Sequence, residues 1–406
     1  MLFITIALRN IFRSKSRSLF AFFSVAVVAF ILTMVTSVAE GLVGESIANS
    51  RLFISGDIQV EHQDYERYFR FNPLGYLVSE EPIAELFAQK YPDLEVSARD
   101  QQPSFLYQNE TLYPLMIFSY SPNDTPWIEA IQILEGHFPS SSKEIAMGYD
   151  LANTYQLKVG DRVMLLTQTA DGGSNAVSYT LSAIVNFPSA SYNANGLIMQ
   201  NSDLAYLLRT QGHTHLQITS RTALSQKELA SLAKELESQL PAEYLLRSWH
   251  DTDAGSLLRI QHFMIGLMTS IFFILGSGVI INTAIMSLLE RTTEIGLLRA
   301  FGFSTRQVRS LFLLESVILH TVAIISGILL AVILSWLLNL FPIHLDTEAT
   351  KAYSSYNISG VIRFAVKWDN LWRIALIAFT ISTIVSYIPT RMITRLRIST
   401  ILRTQV

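Results

Sequence analysis

Few residues in this sequence are equipped to do chemistry. Gly212-His213-Thr214-His215 would set two imidazoles on one side of a strand, the beginning of a metal site, but no carboxylate stands at close spacing to complete it. Trp249-His250-Asp251 puts an imidazole beside a carboxylate, and its place before a long apolar run reads as a linker. Asn282, Glu315 and His320 are polar residues inside apolar stretches, and an ionisable group in a membrane is a functional candidate by default. Glu315 follows Arg309 by six positions, about one turn into its run, so Glu315 and His320 read as structural or interfacial groups rather than a proton relay. Neither a G-x-x-x-x-G-K-[ST] phosphate loop nor an H-E-x-x-H motif occurs. The chain has no cysteine, which excludes disulfides and thiolate metal centres. The expectation is a non-catalytic chain with no metal or cofactor site of its own.

Charge and apolar surface alternate most closely at Glu290–Gly302, ERTTEIGLLRAFG. Glu290, Arg291, Glu294 and Arg299 are interleaved there with Ile295, Leu297, Leu298, Ala300 and Phe301, the pattern of a short amphipathic helix. Apolar runs at Phe263–Leu289 and Leu311–Leu340 flank it, so the stretch lies where two membrane spans turn. It reads either as a loop helix resting on the membrane surface or as a docking surface for another protein.

The elements that hold this turn follow from composition. Half of the 406 residues are hydrophobic and 16% are charged, and the mean hydropathy is +0.32. A few spans plus one large aqueous domain give such an average. Met1–Ser18 alternates apolar and basic residues and reads as an interfacial helix. Leu19–Val38 is then uncharged and long enough to cross a hydrocarbon core of ~30 Å. Ser37-Val38-Ala39 meets the small-residue rule for signal cleavage, but the run exceeds the ~7–15 residues of a signal core and reads as a span.

The expected division is an interfacial helix at 1–18, a first span at 19–42, an α+β domain at 43–258 and a stalk-length second span at 259–289. The turn follows at 290–310, then a third span at 311–340, a loop at 341–370, a fourth span at 371–389 and a tail at 390–406. In the large domain Asp57–Val60, Leu112–Phe118, Arg162–Gln168 and Tyr179–Asn186 alternate like strands, while Glu81–Lys90 and Ser225–Leu240 read as helices. Lys158-Val159-Gly160-Asp161 reads as a tight turn in which Gly160 adopts a conformation other residues resist. Small residues four or eight apart predict close packing on one face of three spans: Gly266, Ser270, Gly278 and Asn282; Ala323, Gly327 and Ala331; Ala378, Ser382 and Ser386.

Charge gives the orientation. Val43–Leu258 holds 13 basic and 26 acidic residues, a net of −13. Basic residues gather instead at Arg9, Arg13, Lys15 and Arg17, at Arg291, Arg299, Arg306 and Arg309, and at Arg391, Arg395, Arg397 and Arg403. All three groups fall on one side of a four-span chain, and that side is expected to be cytoplasmic, with both termini inside and the acidic domain outside. An acidic outer domain makes nucleic acid an implausible partner.

Four stretches resemble one family, the FtsX-like permease subunits of ABC transporters in the MacB and LolC/LolE group. They are ALRNIFRSKSRSLFAFFSVAV, ILEGHFPSSSKEIAMGYDLANTYQLKVGDRVMLL, ERTTEIGLLRAFGFSTRQV and RMITRLRISTILR. The resemblance runs in order through essentially the whole chain, and the third stretch and the K-V-G-D turn are its most specific parts. It implies a four-helix membrane protein of the bacterial inner membrane with a MacB-like periplasmic α+β domain. It also implies a second permease subunit, identical or not, and two copies of a separate cytoplasmic ATPase, which would hold ATP and magnesium. Glu290, Arg291, Glu294, Ile295, Gly296, Leu298, Arg299 and Gly302 would meet that ATPase, with apolar residues filling a groove on it. Gly160 and Asp161 would form a structural turn in the outer domain. The free-standing permease most resembles LolC and LolE, which implies extraction of a lipoprotein, peptide or lipid and a periplasmic chaperone or adaptor. The alternative is an FtsX-like signalling subunit that moves a periplasmic hydrolase or sensor without transport.

Overall fold

The structure is a computed structural model that describes residues 5, 9–11, 13, 15–72, 74–222, 224–289, 292–345 and 358–394. It divides into two compact units. One comprises Met1–Leu42, Gln261–Ile343 and Ile362–Val406, and the other Val43–Ile260 and His344–Val361. Half of the interfacial helix expected at 1–18, and residues 395–406 of the tail expected at 390–406, lie outside the described residues.

Helix α1 (Lys15–Ser50) reaches beyond the expected end of the first span and finishes in a π-helical turn, Arg51–Ser55. The second unit begins inside this helix and, among the described residues, carries two large sheets. Strands β1 (Ile58–His62) and β2 (Leu94–Ala98) join β10 (His215–Ser220) and β11 (Tyr244–Ser248) in an antiparallel sheet ordered β11-β1-β10-β2. Helices Glu80–Lys90 (α2) and Gln226–Glu237, the latter with a Ser225/Glu228 capping box, cover it. Ile83, Phe87, Leu229, Ala233 and Leu236 from these helices pack on Ile58, Val60, Leu216 and Ile218. In the second helix Leu229, Leu232, Ala233 and Leu236, at i, i+3, i+4 and i+7, form the core face, and each fully buried Leu there contributes roughly 1.5–3 kcal/mol.

The second sheet has seven strands: β3 (Gln101–Gln108), β4 (Thr111–Tyr120), β5 (Gln132–Gly136), β6 (Glu144–Gly148), β7 (Arg162–Gln168), β8 (Ser174–Asn186) and β9 (Gly196–Gln200). Their order is β5-β8-β6-β9-β4-β3-β7, and β7 also pairs with β8, so six strands close into a ring with β5 added on β8. Leu106, Leu115, Ile145, Met147, Leu165 and Leu181 fill one core, which the helix Asn201–Leu208 (α3) helps to close. An aromatic core of Phe53, Phe118, Tyr120, Trp127 and Phe187 forms beside it, Phe53 coming from the π-helical turn. Gly160 has φ 98° and its N–H reaches the Leu181 carbonyl at 2.8 Å, while Asp161 accepts from the Lys158 N–H at 2.8 Å. The K-V-G-D segment is thus a tight turn locked onto β8. With Gln226–Glu237 as α4, the chain leaves this unit through the 3-10 turn Trp249–Asp251, the expected linker.

Three further long helices complete the first unit: α5 (Asp253–Leu289), α7 (Thr305–Leu340) and α8 (Trp368–Thr394), with the short α6 (Thr292–Ala300) between the first two. Among the described residues four helices are long and apolar enough to cross a membrane. Val25, Ala26 and Ala29 of α1, Ile280 of α5, Ala323 and Ile324 of α7, and Ala378 and Val385 of α8 form the shared core. The small residues expected in α7 and α8 are buried there, and a Cβ on Gly327 would come within 2.2 Å of the Ala26 carbonyl oxygen. The expectation for α5 needs correction. Gly266, Ser270, Gly278 and Asn282 are exposed, and the buried glycine is Gly276, whose Cβ would sit 2.6 Å from Val28. Spacing identified a small-residue face on α5, but the helix rotates another glycine toward α1.

Candidate coupling site

Helix α6 is a nine-residue amphipathic element whose C-terminal end is closed by a defined turn. Glu294 lies in its first turn and Arg299 in its last, the arrangement that complements the helix dipole. It stops because Gly302 takes φ 92°, a left-handed conformation other residues resist. The Gly302 N–H then meets the Arg299 carbonyl at 3.1 Å and the Phe303 N–H meets the Leu298 carbonyl at 3.2 Å. This is the Schellman pairing, which satisfies carbonyls that a helix end leaves open. Helix α7 starts at once. The Gln307 N–H bonds Ser304 Oγ at 3.3 Å, and the Ser304 N–H bonds Gln307 Oε1 at 2.9 Å. Two defined caps back to back leave the short connection between the helices with little freedom.

The faces of α6 divide sharply. Ile295 is fully buried against Val308 and Phe312 of α7, with Leu298 packed alongside. Gly296 is buried as well. Glu294, Leu297, Ala300 and Phe301 face outward, and Leu297 and Phe301 are 50% and 74% exposed. Glu294, Leu297 and Phe301 follow i, i+3, i+7 spacing and share one stripe. Leu298 and Arg299 are half-buried, and Gly302 stands at the open turn with no atom near a would-be Cβ. Glu290 and Arg291 lie outside the described residues. The expectation that Ile295 fills a groove on another protein does not fit a side chain already used to fix α6 to α7. Leu297 and Phe301 were missing from the expected contact set. Their spacing from Glu294 was the available signal.

Between α1 and α5, Phe20, Phe23, Val27, Ile31, Phe272, Leu275 and Val279 line an apolar cleft of about 450 Å³. Glu315 and His320 are buried on α7. The Arg309 guanidinium lies over the Tyr387 ring of α8, 5.9 Å from its centroid.

Of the two histidines flagged by sequence, His213 does meet a carboxylate, from far along the chain. His213 Nδ1 lies 2.7 Å from Asp100 Oδ2, and His213 Nε2 lies 3.6 Å from Glu80 Oε2. Asp100 Oδ1 also accepts from the Thr214 N–H at 2.8 Å and its hydroxyl at 2.7 Å. Burial opposes the charge on His213, but the bond to Asp100 and the charges of Asp100 and Glu80 outweigh it and raise its pKa. Burial likewise opposes ionisation of Asp100, yet His213, His215 and Thr214 hold its carboxyl below the usual range. His215 is lowered by burial. Among the described residues no group of three or more His, Cys, Asp or Glu side chains is arranged to hold a metal. The cluster is a polar joint.

In comparison with known proteins, residues 266–398 match the model of the family described as FtsX-like permease C-terminal. The chain is 24% identical over 244 residues to the lipoprotein-releasing system transmembrane protein LolC of Xylella fastidiosa, covering 57% of this chain and 58% of that protein. It therefore spans little more than half the length of that relative. It is 31% identical over 99 residues to the macrolide export ATP-binding/permease protein MacB of Mannheimia succiniciproducens, covering 24% of this chain and 15% of that one. Among solved structures, the periplasmic region of MacB from Actinobacillus actinomycetemcomitans aligns with 53% of this chain and 96% of its own, at 10% identity and a TM-score of 0.36.

Proposed function

We propose, from the FtsX-like permease domain at residues 266–398, that this chain is the membrane subunit of an ATP-driven device whose ATPase is a separate protein docking on α6. The observation that carries the reading is the stripe Glu294, Leu297 and Phe301, solvent-facing on a helix that Ile295 pins to α7. A rigid helix with an aromatic knob suits a contact that must transmit force, because buried aromatic anchors carry most of an interface's energy while charges set register. ATP and magnesium would sit on the ATPase, and the acidic unit would face outward from the bacterial inner membrane, with both termini inside.

The cargo we assign is a lipoprotein or similar amphiphile. The similarity to LolC supports it, and so does the apolar cleft between α1 and α5, whose lining suits acyl chains. A second permease subunit would cover the exposed face of α5, where Ile260, Phe263, Met264, Ile274 and Leu275 are bare. A periplasmic acceptor would then receive the cargo.

The test is turnover in nanodiscs of the complex with its co-purifying ATPase. Stimulation by a triacylated lipopeptide, and none by its deacylated form, is the expected result. ATP hydrolysis indifferent to both, with a cell-wall hydrolase recovered by cross-linking to the outer unit, would replace transport by signalling.

A further inference from the structure

An α-helix leaves its last four carbonyls without partners, and these are ordinarily met by water or a terminal glycine turn. In the π-helical turn that ends α1, successive carbonyls each find a separate donor. The Arg51 carbonyl accepts from the Gly56 N–H at 2.9 Å, and the Leu52 carbonyl accepts from Arg99 Nη1. The Phe53 carbonyl accepts from Gln101 Nε2 at 2.8 Å, and the Ile54 carbonyl accepts from Gln217 Nε2 at 2.6 Å. The side-chain donors come from parts of the fold that need not have met. Arg99 lies in the crossover between β2 and β3, Gln101 opens β3 of the seven-stranded sheet, and Gln217 sits fully buried in β10 of the four-stranded sheet.

Arg99 is itself held by Asp124, with Nη2 2.8 Å from Oδ1 and Nε against Oδ2, and both residues are buried. Desolvating such a pair costs several kcal/mol per ion, so it is weak evidence for stability. What it does supply is a fixed guanidinium aimed at one carbonyl. Gly56 adds a positional constraint: φ is 62°, and a Cβ there would crowd Gln217 Cβ at 3.0 Å.

We propose that Arg99, Gln101 and Gln217 form a clasp that makes the end of the first span and both outer sheets move as one body. They are positioning residues for the delivery of ATPase work to the outer unit. The inference rests on the coupling function proposed above. A capped helix end alone would need one or two donors from a single neighbour. Donors drawn from both sheets tie the helix to the whole unit, so a shift along α1 is not lost in local slippage.

The experiment uses the full chain in nanodiscs with its co-purifying ATPase and the double variant Gln101→Met/Gln217→Met, which keeps side-chain length and removes both donors. Amide hydrogen exchange over 94–120 and 213–220 is compared with and without ATP and magnesium. The wild type is expected to show a nucleotide-dependent change there. The variant should lose it roughly 5-fold or more, in the range of ordinary coupling factors, while basal ATP turnover stays at the wild-type rate. If the double variant fails to fold, Gln101→Met alone, at the less buried position, serves the same comparison. A folded variant that keeps the full nucleotide-dependent change overturns the clasp. A wild type whose outer unit ignores nucleotide overturns the coupling function itself, a separately readable failure.

Discussion

His213 and Asp100 face each other at 2.7 Å although 113 positions separate them, and they bridge the entry to β10 and the entry to β3. Glu80 of α2 approaches the same imidazole, and Tyr65, Glu61 and His215 complete the charged and titratable surroundings. This pair gives the outer unit a pH dependence of definite sign. The raised His213 contributes stability that is fully present below the ordinary His value of about 6.5 and is lost as pH rises through its higher folded value. The depressed Asp100 contributes stability present above about 3.9 and lost as pH falls through its lower folded value. Thermal stability of the full chain should therefore be greatest between these limits and decline on the alkaline side. His213→Leu, which leaves Asp100 buried without its cation, should cost about 3 kcal/mol and remove the alkaline decline. A variant with an unchanged pH profile would disprove the assignment.

Gly302 ends α6 at φ 92° with open space where a Cβ would go, so substitution there strains the backbone without a clash. Gly302→Val should cost roughly 1–2 kcal/mol, the ordinary penalty for a left-handed residue, and Gly302→Asn distinctly less. Both proteins should insert. Binding of the ATPase, measured by co-purification, should follow the same order. Equal behaviour of the two variants would show that the Schellman turn does not set the position of α6.

Ile295 and Phe301 separate a packing role from a contact role on one helix. Ile295→Ala opens space against Val308 and Phe312 and should destabilise the segment by about 2–5 kcal/mol. Phe301→Asp removes only an exposed ring, so stability should change by about 0.5 kcal/mol or less while ATPase co-purification is lost. A melting shift for Phe301→Asp as large as that for Ile295→Ala would place Phe301 in the fold rather than at an interface.

Gly327 permits the closest approach between α1 and α7, its Cβ position lying 2.2 Å from the Ala26 carbonyl oxygen. Gly327→Leu must push the helices apart and should cost about 1–3 kcal/mol or more. Leu330, on the exposed face of α7, is the control, since Leu330→Ala should be nearly silent in detergent melting. Equal effects at the two positions would contradict the packing described.

Periodicity carried far into this fold. The alternation of Arg162–Gln168 matches β7 end to end, and the Leu229, Ala233 and Leu236 stripe is a core face, because local pattern and burial agree there. What stayed hidden depends on contacts distant in sequence. Asp100 completes the His213 pair from the crossover between β2 and β3, and the clasp of Arg99, Gln101 and Gln217 on the π-helical turn after α1 has no local signature. In the coupling stretch, composition marked an amphipathic helix. It could not tell that Ile295 faces α7 and Leu297 faces out, since both are apolar and two positions apart.

Whether the outward stripe of α6 meets an ATPase can be read directly by cross-linking. The cysteine-free chain allows a single photoactivatable label at Leu297→Cys or Phe301→Cys, with Trp336→Cys on the exposed face of α7 as the control. Illumination of membranes should join both α6 positions, and not the control, to one nucleotide-binding subunit identified by mass spectrometry. Labels at 297 and 301 that reach only lipid or other parts of this chain, in membranes where the ATPase is present, would contradict the account.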